Sequence, residues 1–143
     1  MTRPPRPAPI DGALVINKPA GRTSHDVVEA VRRLLGFQQV GHLGTLDPIA
    51  TGVLVLLLGR ATRFAQFYGA RRKRYESTFR FGFATDTYDA DGSPAGTDLA
   101  PQLDRAQLEQ MAARLTGKFM QMPPAFSAKK IHGRPAYEMA RKK

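Results

Sequence analysis

Residues 41–58 read GHLGTLDPIATGVLVLLL. The first part of this stretch is punctuated by glycine and proline, which is typical of a loop, and the last part is the longest apolar run in the chain. Such a run suits a buried strand and is far shorter than the roughly 20 residues that a membrane span needs. The pattern therefore predicts a loop over Val40–Gly52 that leads into a fully buried strand over Val53–Leu58.

The sequence before this stretch has the pattern of a strand followed by a helix. Ala13–Asn17 is mostly apolar and is followed by turn residues, which predicts a strand. A helix is predicted over Ser24–Leu35, because valine and leucine recur on one face of that segment. Thr23 and Asp26 have the spacing of a capping box, and Gly36 suits the C-terminal cap.

The sequence after residue 58 predicts further helices and strands. Arg74–Phe83 alternates between mostly aromatic residues and polar or charged ones, the pattern of a half-buried antiparallel strand. The other predicted elements are a helix over Ala61–Tyr68, a helix over Asp104–Leu115 with Leu108, Met111 and Leu115 facing inward, a strand over Phe119–Met122, and a last helix over Pro135–Arg141. Together they predict a mixed α+β fold with a largely antiparallel sheet and flanking helices.

Composition restricts the class of protein. The chain has 143 residues, the usual size of one domain, and it has no cysteine, which excludes disulfide bonds and thiol chemistry. A net charge of +10 favours a polyanionic partner, because each neutralised phosphate of a nucleic acid releases counterions. The proline- and arginine-rich segment 1–10 is expected to be a disordered basic arm, and without the apolar core of a signal peptide it predicts a cytoplasmic protein.

Asp47 is the candidate catalytic group, although its local sequence also has a simpler explanation. Asp-Pro commonly initiates a turn, so Asp47 and Pro48 taken alone indicate a turn. A loop that leads into a rigid buried strand is, however, a typical place for a catalytic group. Gly41, Gly44 and Gly52 would also let a ligand approach the backbone closely. A carboxylate in this position would act as a nucleophile or as a general base.

Five segments form distinct motifs, and they occur in a fixed order along the chain. They are Gly12–Gly21 with Thr23–Asp26; Gly41–Gly52; Lys73–Tyr75; Thr85–Gly92; and Pro123–Lys130 with Gly133 and Tyr137–Arg141. In this order they closely resemble the motifs of the bacterial tRNA pseudouridine synthase B family, over nearly the whole chain. The resemblance implies the pseudouridine synthase catalytic fold. It also implies a reaction, the isomerisation of uridine to pseudouridine at position 55 in the T loop of tRNA.

The resemblance implies roles for three residues. Asp47 matches the nucleophilic aspartate of the family. His42 matches a histidine that contacts the RNA near the flipped uridine, although a lone histidine in a loop often bonds only to backbone. Tyr75 matches a tyrosine that stacks on the target base, although its position on the aromatic face of a predicted strand also fits a core residue.

Basic residues at three places are supporting candidates. Lys18 precedes Pro19 in what is either a plain turn or a support for the active site. Arg74 ends the basic run 71–74, which is either a solvated face or a set of phosphate contacts beside Tyr75. Lys130 belongs to a second basic cluster, which in the family leads into a thumb that grips the RNA loop.

Asp89 is the remaining supporting candidate. The resemblance implies that it orients an arginine contributed from later in the fold. Segment 87–98 also comes close to a calcium-binding loop, but Thr87 and Asp98 stand where an aspartate and a glutamate belong. No metal is therefore predicted.

The resemblance implies tRNA as the partner and no metal or organic cofactor, and the protein is expected to be a monomer. The chain matches about the first half of the family. Residues 11–143 are therefore expected to be the N-terminal portion of the catalytic domain, truncated before the C-terminal RNA-binding domain. Two alternatives remain open: a non-catalytic RNA-binding or RNA-folding module, and a guide-RNA-dependent rRNA pseudouridine synthase with a similar aspartate motif. Ala50 and residues 86–92 are closer to the stand-alone bacterial type.

Overall fold

The computed structural model describes residues 10–68 and 72–121, together with the backbone of residues 130–131 and 134–135. The chain forms two compact units, Met1–Tyr75 and Glu76–Lys143. Apart from Ile10, which is exposed, the predicted N-terminal arm lies outside the described residues.

The first unit is built on a three-stranded antiparallel sheet. Its strands are β1 (Gly12–Lys18), β2 (Val40–Leu43) and β3 (Gly52–Leu58), and β3 lies between the other two. The register places Lys18 opposite Gly52, so the end of β1 lies beside the start of β3. The segment that links β2 to β3 therefore emerges at the same end of the sheet as the turn after β1.

Helix α1 (Ser24–Leu35) has the bounds that the sequence predicts. The capping box is formed, because the Asp26 N–H donates to Thr23 Oγ1 at 3.0 Å and the Thr23 N–H donates to the Asp26 carboxylate at 2.8 Å. The backbone hydrogen bond from Thr23, followed by the one from its hydroxyl, lowers the pKa of Asp26 below its ordinary value. Gly36 ends the helix with φ of 68°, and its N–H donates to the Arg32 carbonyl at 3.0 Å.

One face of the sheet packs against α1 and forms the core of this unit. Alternate residues of β3 point toward the helix, and Leu14 and Ile16 of β1 pack against the same cluster. The buried members are Val28, Val31, Val40, Leu54, Leu56 and Leu58. Burial of this apolar layer is the main source of stability for the first unit.

The opposite face of the sheet shows that the prediction of a fully buried strand is wrong. Val53 on β3 is 71% exposed, and Val15 on β1 is 63% exposed. Side chains alternate across a strand, so this end of β3 buries only the face toward α1. Leu57 is nevertheless buried on the opposite face, because the helical segment after β3 packs there. A Cβ added at Gly41, which pairs with Leu57, would lie 3.8 Å from Thr62 of that segment.

The segment after β3 is helical, as predicted, but in two forms. A 3₁₀ helix spans Gly59–Phe64, and a single α-helical turn, α2, spans Ala65–Tyr68. Asp11 fixes the start of the 3₁₀ helix, since its carboxylate accepts from the Arg60 backbone N–H at 2.7 Å and from Arg60 Nε at 2.6 Å. The backbone hydrogen bond from Arg60 is the main reason that the pKa of Asp11 is lowered.

The predicted loop over Val40–Gly52 begins and ends in strand. β2 forms over Val40–Leu43 because β3 offers it a free edge, and Val40 joins the core. A strand of four residues that contains a glycine is too short to show an alternating apolar pattern. Gly52 already belongs to β3, so the loop itself is confined to residues 44–51.

The second unit contains short antiparallel strand pairs and a helix. Its elements are β4 (Ala84–Thr85) paired with β5 (Pro94–Ala95), α3 (Arg105–Arg114), and β6 (Lys130–Ile131) paired with β7 (Arg134–Pro135). The helix predicted over Asp104–Leu115 is confirmed, with a capping box between Asp104 and Gln107. Its predicted inward face is wrong, since Leu108 is only half-buried and Met111 and Leu115 are exposed.

Three other predictions are wrong at the residues that the structure describes. Arg74–Phe83 forms no strand, because a strand needs a hydrogen-bonded partner and no described segment pairs with it. Phe119–Gln121 is not a strand either, and Pro135 lies in β7 instead of opening a helix. Met122 and residues 136–141 lie outside the described part of the chain.

The described elements nevertheless form the mixed α+β architecture with antiparallel sheets that the sequence predicts. Among the described helices, none is both long and apolar enough to cross a membrane.

Replacing Leu56 by alanine should lower the free energy of unfolding by about 3 kcal/mol, because truncating a fully buried leucine loses its transfer energy and leaves a cavity. The matched control is Leu34→Ala, the same truncation at a residue that is 84% exposed, which should cost less than about 0.5 kcal/mol. Equilibrium urea denaturation measures both values. Equal losses would contradict the position of the core.

Candidate active site

Asp47 lies in the loop of residues 44–51, which joins β2 to β3. The loop contains a turn in which the Ala50 N–H donates to the Asp47 carbonyl at 3.1 Å. The turn indicated by the Asp-Pro sequence is therefore present. The Asp47 side chain is exposed, and it has no hydrogen bond or ion pair within the described residues. Its carboxylate is thus free to meet a ligand.

Lys18 ties this loop to the end of β1. The side chain is completely buried, at 0% exposure, and Nζ donates to the carbonyls of Pro19 at 2.9 Å, Arg22 at 2.6 Å and Pro48 at 3.3 Å. Three carbonyls match the three donors of an ammonium group, so burial leaves none unpaired. The Gly21 N–H also donates to the Pro48 carbonyl, at 2.8 Å. Lys18 therefore joins the turn after β1 to the residue that follows Asp47.

Ser24 holds the residue on the other side of Asp47. Its hydroxyl is buried at the first position of α1, accepts from the Leu46 N–H at 2.9 Å and donates to the Leu46 carbonyl at 3.2 Å. One side chain thus satisfies both polar groups of the Leu46 backbone. The backbone is fixed at Leu46 and at Pro48, whereas the carboxylate between them is exposed and has no partner among the described residues.

The sequence did not single out Ser24 as a site residue. A serine at the start of a helix is common, and its partner Leu46 lies 22 residues further along the chain. No local spacing signals such a contact. The sequence motif that contains Ser24 was the only indication that this position matters.

His42 lies on β2 at the entrance to the loop, opposite Leu56 of β3, and is half-buried. Its Nδ1 is 2.9 Å from the Gly44 carbonyl oxygen. Because a carbonyl can only accept, this bond requires the proton on Nδ1, and the Nε2 of a neutral ring is then left as an acceptor. The bond to backbone is present, and it leaves one ring nitrogen for a ligand.

Tyr75 and Arg74 lie in the stretch that closes the first unit. Tyr75 is 67% exposed, and Arg74 is exposed as well. Within residues 10–68 and 72–121, neither side chain forms a hydrogen bond or ion pair with the Asp47 loop. Tyr75 is therefore not a core residue of this unit.

Asp89 and Lys130 belong to the second unit. The Asp89 carboxylate holds its own turn together, since Oδ1 accepts from Thr87 Oγ1 at 2.6 Å and from the Asp91 N–H at 3.0 Å. The Lys130 backbone pairs in β6, and its side chain lies outside the described residues. In the described part of the chain, no group of three or more histidine, aspartate or glutamate side chains is arranged to hold a metal ion.

Comparisons with a family model and with curated proteins match this chain to the same family. The model of the N-terminal domain of the TruB family of pseudouridylate synthases matches residues 32–143. tRNA pseudouridine synthase B of Solibacter usitatus is 54% identical over 133 residues, which cover 93% of this chain and 45% of that protein. The Aquifex aeolicus protein of the same name is 50% identical over 133 residues, covering 93% and 46%. The chain thus spans about half the length of the curated relatives that it matches.

A chain of a solved H/ACA RNP bound to a substrate RNA containing 2'-deoxyuridine also aligns. The identity is 49%, over 37% of this chain and 17% of that one, with a TM-score of 0.35. An overlap of this extent carries no argument about the fold.

Ser24→Ala should loosen the Asp47 loop without unfolding α1. Both backbone groups of Leu46 lose their partner, so the free energy of unfolding should fall by about 1–3 kcal/mol and the Leu46 amide should exchange with solvent faster. Hydrogen exchange followed by NMR measures the amide directly. The matched control is Ser77→Ala at an exposed serine. Unchanged exchange at Leu46 in the Ser24 variant would contradict the assigned role.

Proposed function

The chain belongs to the TruB family of pseudouridylate synthases, and we propose that Asp47 is the nucleophile with which such an enzyme converts uridine to pseudouridine in the T loop of tRNA. The observation that carries the proposal is the loop itself. Its backbone is fixed on both sides of Asp47, by Ser24 at Leu46 and by Lys18 at Pro48, while the carboxylate is exposed. A reactive group held in this way needs little rearrangement when the substrate arrives.

The reaction breaks the bond between N1 of uracil and C1′ of the ribose. It forms a new bond from C5 to C1′, while C5 loses its proton to solvent and N1 gains one. The Asp47 carboxylate can attack C1′ as the glycosidic bond breaks, as in retaining glycosidases, or it can add to the uracil ring. Both routes hold the base on the enzyme while it turns to present C5, and neither requires a metal or an organic cofactor.

Base flipping would bring the uridine to Asp47. A base in an RNA loop leaves its stack at a cost of a few kcal/mol, less than a base in a duplex. An exposed Tyr75 can stack on the extruded base, and the free Nε2 of His42 can accept a hydrogen bond from the RNA. The net charge of +10 supports attraction to the tRNA backbone. In this proposal residues 11–143 supply the N-terminal portion of the catalytic domain.

The two alternative functions rest on different observations. A non-catalytic RNA-binding module is supported by the net charge of +10, which attracts RNA whether or not a reaction follows. A guide-RNA-dependent rRNA enzyme is disfavoured, because the relatives from Solibacter usitatus and Aquifex aeolicus are both called tRNA pseudouridine synthase B. Measuring turnover separates the enzyme from the binding module.

Asp47→Asn should abolish turnover and leave RNA binding largely intact, because it removes the negative charge of the nucleophile and keeps the shape of the side chain. The assay uses a fusion of residues 1–143 to the C-terminal half of the Solibacter usitatus enzyme and follows tritium release from a T-loop RNA labelled at C5 of uridine. We expect a loss of roughly 10³-fold or more. Glu109→Gln, at an exposed glutamate of α3, is the control that should retain activity. Appreciable turnover by the Asp47 variant would exclude the proposed nucleophile.

The unfused 143-residue chain should be of low stability and nearly or wholly inactive in the same assay. Its sheet exposes apolar side chains on one face, and such surfaces cost stability and favour association. Urea denaturation and tritium release, measured beside the fusion, test both points. Turnover by the unfused chain at the rate of the fusion would show that the prediction is wrong.

A further inference from the structure

The side chain of Lys73 lies across Gly44, at the start of the Asp47 loop. A Cβ added at Gly44 would be 3.3 Å from Lys73 Nζ and 3.7 Å from Lys73 Cε. Gly44 also has φ of 84°, a conformation that favours glycine. The backbone conformation therefore favours glycine at this position, three residues before Asp47.

The Lys73 ammonium is not used inside the described structure. The residue is exposed, and within residues 10–68 and 72–121 its Nζ forms no hydrogen bond or ion pair. Its three N–H donors are therefore available to a ligand. The Gly44 carbonyl is itself hydrogen-bonded to His42 Nδ1, at 2.9 Å.

Among the described cations of the basic run, Arg72, Lys73 and Arg74 are all exposed. Lys73 is the one whose terminal atoms lie within 4 Å of the position that a Cβ at Gly44 would occupy. The ammonium and the His42 ring thus both lie close to Gly44, at the start of the Asp47 loop. A compact cation with three free donors suits a phosphodiester oxygen.

We propose that Lys73 binds an RNA phosphate at the rim of the Asp47 loop and thereby sets where the target uridine meets the carboxylate. This inference rests on the proposed function. Lys73 touches the backbone of the substrate but not the reacting atoms, so it acts as a positioning residue. The ligand class is a phosphodiester next to an extruded nucleotide in single-stranded RNA.

The test removes the charge and measures the salt dependence of binding. Lys73→Gln is made in the Asp47→Asn form of the fusion, so that a T-loop RNA binds without reacting. The logarithm of the association constant falls linearly with the logarithm of the salt concentration. Loss of one phosphate contact to single-stranded RNA should make this slope less steep by about 0.7. Lys73→Arg should keep most of the slope, because it retains the cation.

The matched control is Arg63→Gln. Arg63 is exposed on the 3₁₀ helix at the far end of β3 from the Asp47 loop, and its loss removes the same unit charge from the first unit. The control should change the slope by much less than Lys73→Gln. Equal slopes for the two variants would overturn the proposal, because Lys73 would then add only to the overall charge.

Tritium release by the fusion with Asp47 intact separates a phosphate contact from a direct effect on the carboxylate. A phosphate contact predicts that Lys73→Gln raises KM several-fold more than it lowers kcat and leaves the pH profile of kcat in place. A shifted pH profile with an unchanged salt slope would overturn the proposal, because it would mean that Lys73 acts on Asp47. Absence of turnover in the fusion with its native residues would count against the proposed function alone, since the binding slopes need no chemistry.

Discussion

The Lys18 ammonium is buried at the end of β1, and its N–H groups donate hydrogen bonds to three backbone carbonyls. An ammonium buried without such partners would cost several kcal/mol. Moving these carbonyls away would therefore either expose the charge to water or leave it buried without hydrogen bonds. Two of them belong to the turn after β1, and the third, from Pro48, follows Asp47. The position of the loop is therefore coupled to the position of the sheet through the buried ammonium.

The other contacts around the loop follow from this arrangement. The turn that Lys18 holds leads directly into α1, whose first residue, Ser24, binds the backbone of Leu46. Helix α1 is in turn fixed by its burial against β3, the central strand, which begins where the loop ends. The core thus positions the backbone on both sides of Asp47 and leaves the side chain exposed. Such preorganisation of a reactive group is what catalysis requires of a scaffold.

Sequence patterns predicted the elements whose causes are local. α1 has the predicted bounds because its capping box and its C-terminal glycine lie within the helix or next to it. A strand, in contrast, forms only where a distant segment offers an edge to pair with. For this reason the sequence did not predict β2, and it wrongly predicted a strand over Arg74–Phe83. Asp47 was identified by its motif and not by local chemistry, which indicated a turn. The turn is present, so the two interpretations of Asp47 are compatible.

The contacts that define the candidate site were beyond local prediction for a similar reason. Lys18 and Pro48 are 30 residues apart, and Ser24 and Leu46 are 22 apart. Neither separation follows a helical or strand period, so no pattern along the chain reports them. Lys73 reaches Gly44 from beyond β3, and its approach is visible only once the chain has folded.

Hydrogen exchange in Lys18→Met tests the central claim most directly. The Gly21 and Ala50 amides donate to the carbonyls of Pro48 and Asp47, so they report on the attachment of the loop. The account predicts that both exchange at least about tenfold faster while the Leu56 amide in the core keeps its protection. Lys118→Met, at an exposed lysine, should change neither. Unchanged protection at Gly21 and Ala50 in the folded Lys18 variant would contradict the claim that the buried ammonium holds the Asp47 loop in place.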